Sequence, residues 1–421
     1  MEAMSLRRKI VWREGTPPGH SPRVLHFLCT PVRAGVGEHA LSLLVALRHY
    51  GFAPYVIAPS PLLAAAKAEL DEFAIKSVAM DMSSPLDWRE IMRLSSVLRR
   101  ERIDIVHCHM AIASACASPI ARLSRVPVLI ETAHGREIWR EGKRIRGSFW
   151  IDRQVGRLTD RFIAVSEAVA RHLIENKRIP GHKITVIRNG RDLSQYQPAS
   201  RAQALEARVE LGLEKDAPVI LMLARFSIEK GHRLLIESVR QLISRWPQLI
   251  VLLAGDGPLE DEIKAQCAHF GLANSVRFLG YRSDTRKLLA AADIVVLPSR
   301  IEGLPLVAVE ALASGRAVVA TAVGGTPEVV IDGDTGLVVP PEDPFRFAEA
   351  LERLLSDPER RTSMGTRGRA LVEERFDVRS QVERTIALYL ELLSAARSSL
   401  RGIASLSFDH ESLRSADGGE S

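Results

Sequence analysis

Two successive series of short apolar runs, each run trailed by a segment of helical period, constrain this chain more than any other feature. Runs rich in Val, Ile and Leu that alternate with amphipathic stretches are the pattern of parallel β-α units, whose strands are buried on both faces. The first series opens with RVLHFLC at 23–29. It is followed by GEHALSLLVALRHYG, where Leu41, Leu44, Val45 and Leu47 share a stripe, and it continues through APYVIA, IDIVHCH, VPVLIETAH and RFIAVS. The second opens with PVILMLA at 218–224 and runs through LIVLLAG, SVRFLG, DIVVLP, RAVVA and TGLVVP. Between them, KITVIRNGRDLSQYQPASRAQA carries an Asn189-Gly190 turn and no periodicity. The expectation is an α/β protein with two doubly wound domains facing a central cleft. The expected divisions are an extension at 1–22, a first domain at 23–190, a linker at 191–217 and a second domain at 218–376. An amphipathic helix is expected at 377–395 and a polar tail without assigned structure at 396–421.

Ligands of such sheets bind beyond the carboxyl ends of the strands, so function belongs on the loops that follow them. The chain has 421 residues, enough for two such cores. It has no apolar run of membrane-spanning length, and its N-terminal stretch lacks the apolar core of a signal peptide. Its four cysteines, Cys29, Cys108, Cys116 and Cys267, show no metal spacing and fit reduced thiols. A cytoplasmic location is expected. The net charge of +6 is uneven: residues 1–200 carry +11 and the remainder −5. No reading helix, stacking sheet or metal finger accompanies it, so no nucleic-acid partner is expected. The basic half points to a small anionic partner or an anionic surface.

The richest stretch is PSRIEGLPLVAVEALASG at 298–315, directly after the run DIVVLP. Gly303 and Pro305 keep Glu302 in a loop, and Pro305 suits a first helical position, which places Glu310 about a turn and a half into a helix. The amides of Gly303, Leu304 and Leu306 then lie at the positive helix end, a phosphate site. Carboxylates flanking a phosphate site must accept from hydroxyls, as ribose and hexose provide. Arg225 and Lys230, on the loop after PVILMLA, supply cations at the same sheet edge. Together these residues read as a nucleotide-sugar site.

With Glu302 and Glu310 in an E-x7-E spacing, the ordered segments ARFSIEKG, VLLAGDGPLEDEI, ADIVVLPSRIEGLP and VGGTPEVVIDGDTGLVVPPED resemble glycosyltransferase family 4. GVGEHALSLLVALRHYGF, DIVHCHMAIAS, ETAHG, FIAVSEAV and VIRNGRDLSQYQP resemble it in the first half. The resemblance implies the glycosyltransferase B fold of two Rossmann-like domains and a retaining transferase that needs no metal and no cofactor. It implies that Glu310 contacts the ribose, Glu302 the donor sugar, and Arg225 with Lys230 the diphosphate. It further implies that His134 lines the reaction centre, that Gly37 lies on a loop facing the phosphates, and that the last helix crosses back to the first domain. This chain has Gly35-Val36-Gly37-Glu38 where the family often has adjacent glycines.

The expected partners are a nucleoside diphosphate sugar donor and a saccharide or lipid-linked acceptor, in cell-surface polysaccharide or glycolipid synthesis. A nucleotide-sugar epimerase and a non-catalytic sugar-nucleotide-binding subunit are the rival readings. His107 and His109 read as packing residues, not metal ligands. Gly255-Asp256-Gly257 is half of a dinucleotide fingerprint, and Asp332-Gly333-Asp334 reads as a turn. At 136–161, eight basic residues are interleaved with Trp139, Phe149 and Trp150. A helix from about Phe149 would bury Ile151, Val155, Leu158 and Phe162 and present Trp150, Arg153 and Arg157. With Lys143, Arg144 and Arg146 this surface is expected to meet an anionic membrane or a lipid-linked acceptor, peripherally on the inner face of the cell membrane.

Overall fold

The computed structural model describes residues 21–33, 35–81, 87–135 and 149–414, with side chains placed through residue 398. The first unit is built from β1 (Arg23–Phe27), α1 (Val36–His49), β2 (Ala53–Ala58), α2 (Ser60–Ala65), α3 (Lys67–Glu72), β3 (Lys76–Ala79) and α4 (Trp88–Arg100). It continues with β4 (Ile105–His109), α5 (Ala111–Leu123), β5 (Val128–Ala133), α6 (Trp150–Leu158), β6 (Arg161–Ala164), α7 (Glu167–Glu175) and β7 (Ile184–Val186). A connecting α8 (Arg201–Glu210) leads to β8 (Val219–Leu223), α9 (His232–Leu242), β9 (Ile250–Ala254), α10 (Glu260–His269), β10 (Val276–Phe278) and α11 (Thr285–Ala291). The second unit closes with β11 (Ile294–Leu297), α12 (Leu306–Ala313), β12 (Ala317–Thr321), α13 (Thr326–Val329), β13 (Gly336–Val339), α14 (Pro344–Leu355) and α15 (Pro358–Arg375). Last comes α16 (Val378–Arg414).

The first sheet has strand order β3-β2-β1-β4-β5-β6-β7 and the second β10-β9-β8-β11-β12-β13, with every pair parallel. Each is a doubly wound α/β sheet, as the two series of apolar runs imply. Because side chains alternate along a strand, each sheet splits its residues between two cores. Leu25, Phe27, Val106, Cys108 and Leu129 pack with α4 and α5 residues. Val24, Ile105, Val128 and Ile130 face the other way, onto Leu43 and Leu47 of α1 and Val382, Ile386, Tyr389 and Leu393 of α16. Thus α16 follows the second sheet in sequence and completes the core of the first in space.

The route out to the second unit and the route back run side by side. Arg191 and Asp377 form a parallel bridge, in which the Arg191 amide donates to the Phe376 carbonyl (2.9 Å) and the Val378 amide to the Arg191 carbonyl (3.0 Å). α16 continues to Arg414, beyond residue 395 where the sequence pattern ended it, and takes in most of the segment expected to be an unstructured tail. That segment, SLRGIASLSFDHESLR, has no proline, and its residues tolerate a helix once a packed N-terminal part has nucleated it.

Candidate active site

The second unit's side of the cleft is assembled by loops after β8 and β11. After β8 the chain makes a short helical turn at Ile228–Lys230 and enters α9 through Gly231, whose φ is +72°. A Cβ there would stand 1.9 Å from the Pro298 carbonyl oxygen, so only glycine lets this loop lie against the end of β11. The contact brings Lys230 to Glu302: Nζ donates to Oε1 at 2.6 Å, and Ser299 Oγ donates to the same oxygen at 2.8 Å. Arg225, on the same loop as Lys230, is exposed and has no ion pair among the described residues. Pro305 caps α12 instead of occupying its first turn, one residue earlier than its sequence position suggested. The free amides of the first turn still face the cleft end of the sheet.

Glu310, the fifth residue of α12, is buried at 4% exposure. Burial pushes its carboxyl above the usual range, opposed by Arg191, whose Nε lies 2.6 Å from Oε1, and by a hydrogen bond to Tyr196. Both partners come from the stretch connecting the two units. A cavity of about 370 Å³ opens here, bordered by His39, Arg191, Tyr196, Leu306 and Val382. Sequence reasoning did not single out Arg191, although it stands in the NGRD turn that was read as linker.

The first unit's side is histidine-rich. Register sets His26 on β1 beside His107 on β4, and His109 beside Thr132 on β5. Period-two alternation puts His107, His109, Thr132 and His134 on one face. His39 joins from α1, its ring 4.7 Å from that of His134. Bonds link His109 Nδ1 to His134 Nε2 (3.2 Å), His109 Nε2 to His26 Nδ1 (3.0 Å) and His107 Nε2 to Thr132 Oγ1 (2.6 Å). Burial pushes His26 down to about 3 and His39 to about 4, and holds His107, His109 and His134 well below the ordinary value. All five imidazoles are therefore neutral at pH 7. His107 and His109 are buried as expected, but they belong to a cluster that spacing along one strand could not reveal.

The two halves meet at Gly303. A Cβ on it would lie 1.8 Å from the His134 carbonyl oxygen, so the backbones of the E-x7-E loop and the TAHG loop touch. Ser166 Oγ donates to the Gly303 carbonyl (2.9 Å), and Glu328 accepts from the Ala168 amide (3.2 Å) and from Arg188 Nε (3.0 Å). Glu302, Lys230, Gly303 and His134 are thus brought to one place, with Glu310 a turn and a half along α12.

Other sequence-derived positions differ. Gly37 lies in the first turn of α1, packed 2.5 Å by its notional Cβ from the Val32 carbonyl oxygen, instead of in the preceding loop. Leu304 is buried and Leu306 half-buried. On α6 the inward face is Asp152, Val155 and Gly156, so Ile151 is exposed and Phe162 lies on β6. The helix is turned because Asp152 Oδ1 pairs with buried Lys177 (3.0 Å) and Gly156 gives Ile179 room to approach. Trp150, Arg153 and Arg157 are exposed, as expected. Trp139, Lys143, Arg144 and Arg146 lie outside the described residues. Gly255 and Gly257 pack on the backbone of Ala224 and Phe226, and Asp332 Oδ1 accepts from the Val338 amide in its turn.

Comparison with known proteins agrees with this architecture. The model described as "Glycosyltransferase Family 4" matches residues 33–195, and "Glycosyl transferases group 1" matches 204–371. An Escherichia coli UDP-Gal:alpha-D-GlcNAc-diphosphoundecaprenol alpha-1,3-galactosyltransferase is 25% identical over 88% of this chain and 97% of its own. A GDP-mannose-dependent monoacylated alpha-(1-6)-phosphatidylinositol monomannoside mannosyltransferase of Corynebacterium glutamicum is 32% identical over 66% of this chain and 74% of its own. Anabaena HepE, solved with UDP, superposes with a TM-score of 0.77 at 23% identity, covering 88% of this chain and 99% of its own. The chain belongs to the family 4 glycosyltransferases and has their two-domain glycosyltransferase B fold. It is a glycosyltransferase.

Proposed function

We propose that the enzyme moves a hexosyl unit from a nucleoside diphosphate sugar to a hydroxyl of a saccharide carried on a membrane lipid, with retention at the anomeric carbon. The observation that carries this reading is the Lys230–Glu302 contact at the start of α12, directly beneath the His134 backbone. Glu310 accepts from ribose hydroxyls and Glu302 from the sugar. Lys230 gives one N–H to Glu302 and keeps two for the diphosphate, which Arg225 and the α12 amides also meet. The bond from C1 to the phosphate oxygen breaks as the acceptor oxygen bonds to C1 on the same face. The acceptor proton passes to the departing phosphate, leaving a nucleoside diphosphate. Negative charge grows on the diphosphate, where the cations are already fixed. Thermal stabilisation against UDP, GDP and ADP identifies the base, since a ligand at about 100 times its Kd adds about 2.7 kcal/mol. Radiolabelled donor sugar should then appear in an extracted lipid-linked saccharide. Failure of every nucleoside diphosphate to stabilise the enzyme would overturn the reading.

Two features support a lipid-carried acceptor. The E. coli relative is named for a diphosphoundecaprenol-linked acceptor and the corynebacterial one for a phosphatidylinositol monomannoside. In a β-α unit the helix runs back along the sheet, so the N-termini of α4, α5 and α6 all lie at the cleft end of the first domain. Those ends carry exposed Trp88 (68%), Met92 (64%), Ile112, Trp150 (61%) and Ile151, with exposed Arg89, Arg93 and Arg153 among them, while Arg157 lies in the last turn of α6. This mixed apolar and basic rim suits an anionic membrane interface. No helix among the described residues is long and apolar enough to cross a membrane. The enzyme should cosediment with anionic vesicles, less so in high salt, and Trp88→Ser/Met92→Ser/Trp150→Ser should remain in the supernatant. Undiminished binding by that variant would remove the rim from the reading.

A further inference from the structure

The histidine cluster continues into α16. Gln381, Thr385 and Tyr389 form a buried polar stripe at i, i+4 and i+8 on that helix. Tyr389 OH lies 2.5 Å from His107 Nδ1 and 3.3 Å from His26 Nε2, and Gln381 Nε2 lies 3.2 Å from His39 Nδ1. A continuous chain therefore runs Thr132, His107, Tyr389, His26, His109, His134, from the buried sheet to the cleft.

Groups of three of these histidines are close enough to hold a metal ion. Hydrogen-bond polarity argues otherwise. The Gly190 amide donates to Gln381 Oε1 at 2.6 Å, which fixes the amide orientation, so Gln381 Nε2 must donate to His39 Nδ1. His39 then carries its proton on Nε2, and neither nitrogen offers a lone pair to an ion. His26, His107 and His109 each have both nitrogens engaged within the chain.

The polarity of the chain can be read from its middle. Neutral His107 has one proton, so it accepts from one of its two hydroxyl partners and donates to the other. A phenol is a stronger hydrogen-bond donor than an aliphatic hydroxyl, and burial, which pushes the Tyr389 phenol up, keeps its proton in place to be donated. Tyr389 therefore donates to His107 and accepts from His26 Nε2–H. His107 Nε2–H donates to Thr132. His26 Nδ1 then accepts from His109 Nε2–H, and His109 Nδ1 accepts from His134 Nε2–H.

We propose that α16 sets the tautomers of the cleft histidines: Tyr389 holds His134 with its proton on Nε2 and a lone pair on Nδ1, while Gln381 holds His39 with its proton on Nε2. The functional consequence rests on the reading that His134 borders the reaction centre, where the Nδ1 lone pair is an acceptor for a sugar hydroxyl. Tyr389 and Gln381 are positioning residues, and they work through the histidines.

Long-range proton–nitrogen NMR on the full-length, histidine-labelled enzyme tests this without donor or acceptor, so the result is independent of the transfer reaction. His134, assigned by loss of its signals in His134→Ala, should show a pyrrole-type Nε2 and a pyridine-type Nδ1. In Tyr389→Phe the segment from His26 to His134 loses its anchor, and both His134 nitrogens should move towards averaged positions. With the same packing against Phe52, kcat should fall on the order of tenfold while nucleotide affinity holds, the low end for losing an orienting partner of a functional histidine. Gln381→Glu replaces the donor with an acceptor and should shift the His39 proton to Nδ1, an arm that stands if Tyr389→Phe fails to fold. A wild-type His134 protonated on Nδ1, or unchanged His134 signals in Tyr389→Phe, would overturn the proposal.

Discussion

Lys230→Ala should lower kcat by about 10²–10³, the range for removing one fixed donor from a developing oxyanion, and change the donor KM far less. The asymmetry follows because diphosphate charge is larger at the transition state than in the bound donor. A second explanation must be separated from this. In the free enzyme Lys230 also neutralises Glu302, a side chain only 10% exposed, so its loss strands a carboxylate that retains Ser299 as its hydrogen-bond donor. If neutralisation were its whole role, Lys230→Ala/Glu302→Gln would recover the rate of Glu302→Gln alone. The expected result is that it does not, and full recovery would reassign Lys230 to holding Glu302. Arg225→Ala should show the same kcat-weighted loss without the complication, since Arg225 has no ion-pair partner to strand among the described residues. With the diphosphate met by side-chain cations and helix amides, EDTA should leave turnover intact. A loss restored by magnesium would place a metal in the reaction.

Glu310→Gln should weaken nucleoside diphosphate binding by about 2 kcal/mol, roughly 30-fold, the scale of a buried hydrogen bond to a charged group. Its thermal stability at pH 7 should hold or rise. The sign follows from linkage. A carboxyl whose pKa is raised by folding contributes stability that is fully present below its unfolded pKa and lost as pH rises through the folded value. At neutral pH the buried, ionised Glu310 is thus a cost to the fold, only partly offset by Arg191. A carboxamide removes that cost and takes away the hydroxyl acceptor. The pH dependence of the melting temperature between pH 4.5 and 7 should accordingly be flatter in the variant. Equal loss of stability and affinity would mean that Glu310 is a structural pair with Arg191 and does not bind ribose. Glu302→Ala, in contrast, should spare free nucleotide and reduce turnover.

Strands such as VILML and IVVL were legible because a parallel strand buried on both faces needs an unbroken apolar run. β3 was not, since KSVA is an edge strand whose four residues are exposed or half-exposed and carry no such signal. The orientation of α6 was misread because the inward positions are Asp152 and Gly156, which a hydrophobic stripe excludes. Their burial depends on Lys177 and Ile179, more than twenty residues away. At the site, Glu302, Glu310 and Lys230 were visible as local motif residues. Arg191, Gln381 and Tyr389 act through partners 119, 342 and 282 positions distant, and no periodicity encodes such contacts. Gly303 was legible as a helix stop, while its second role against the His134 carbonyl required both domains.

The paired strands at Arg191 and Asp377 make the second domain an insertion into the first, and this has a consequence for how the chain is made. During synthesis, every strand of the second sheet, from Val219 to Val339, emerges before α16 does. That sheet can therefore close over its own contiguous residues while the first is still missing Val382, Ile386, Tyr389 and Leu393 from its core. The domain that leaves the ribosome first is the one that finishes last. Until then its Val24, Ile105 and Ile130 face is covered only in part, by Leu43 and Leu47 of α1, so a nascent chain arrested before residue 378 would be the species that engages a chaperone.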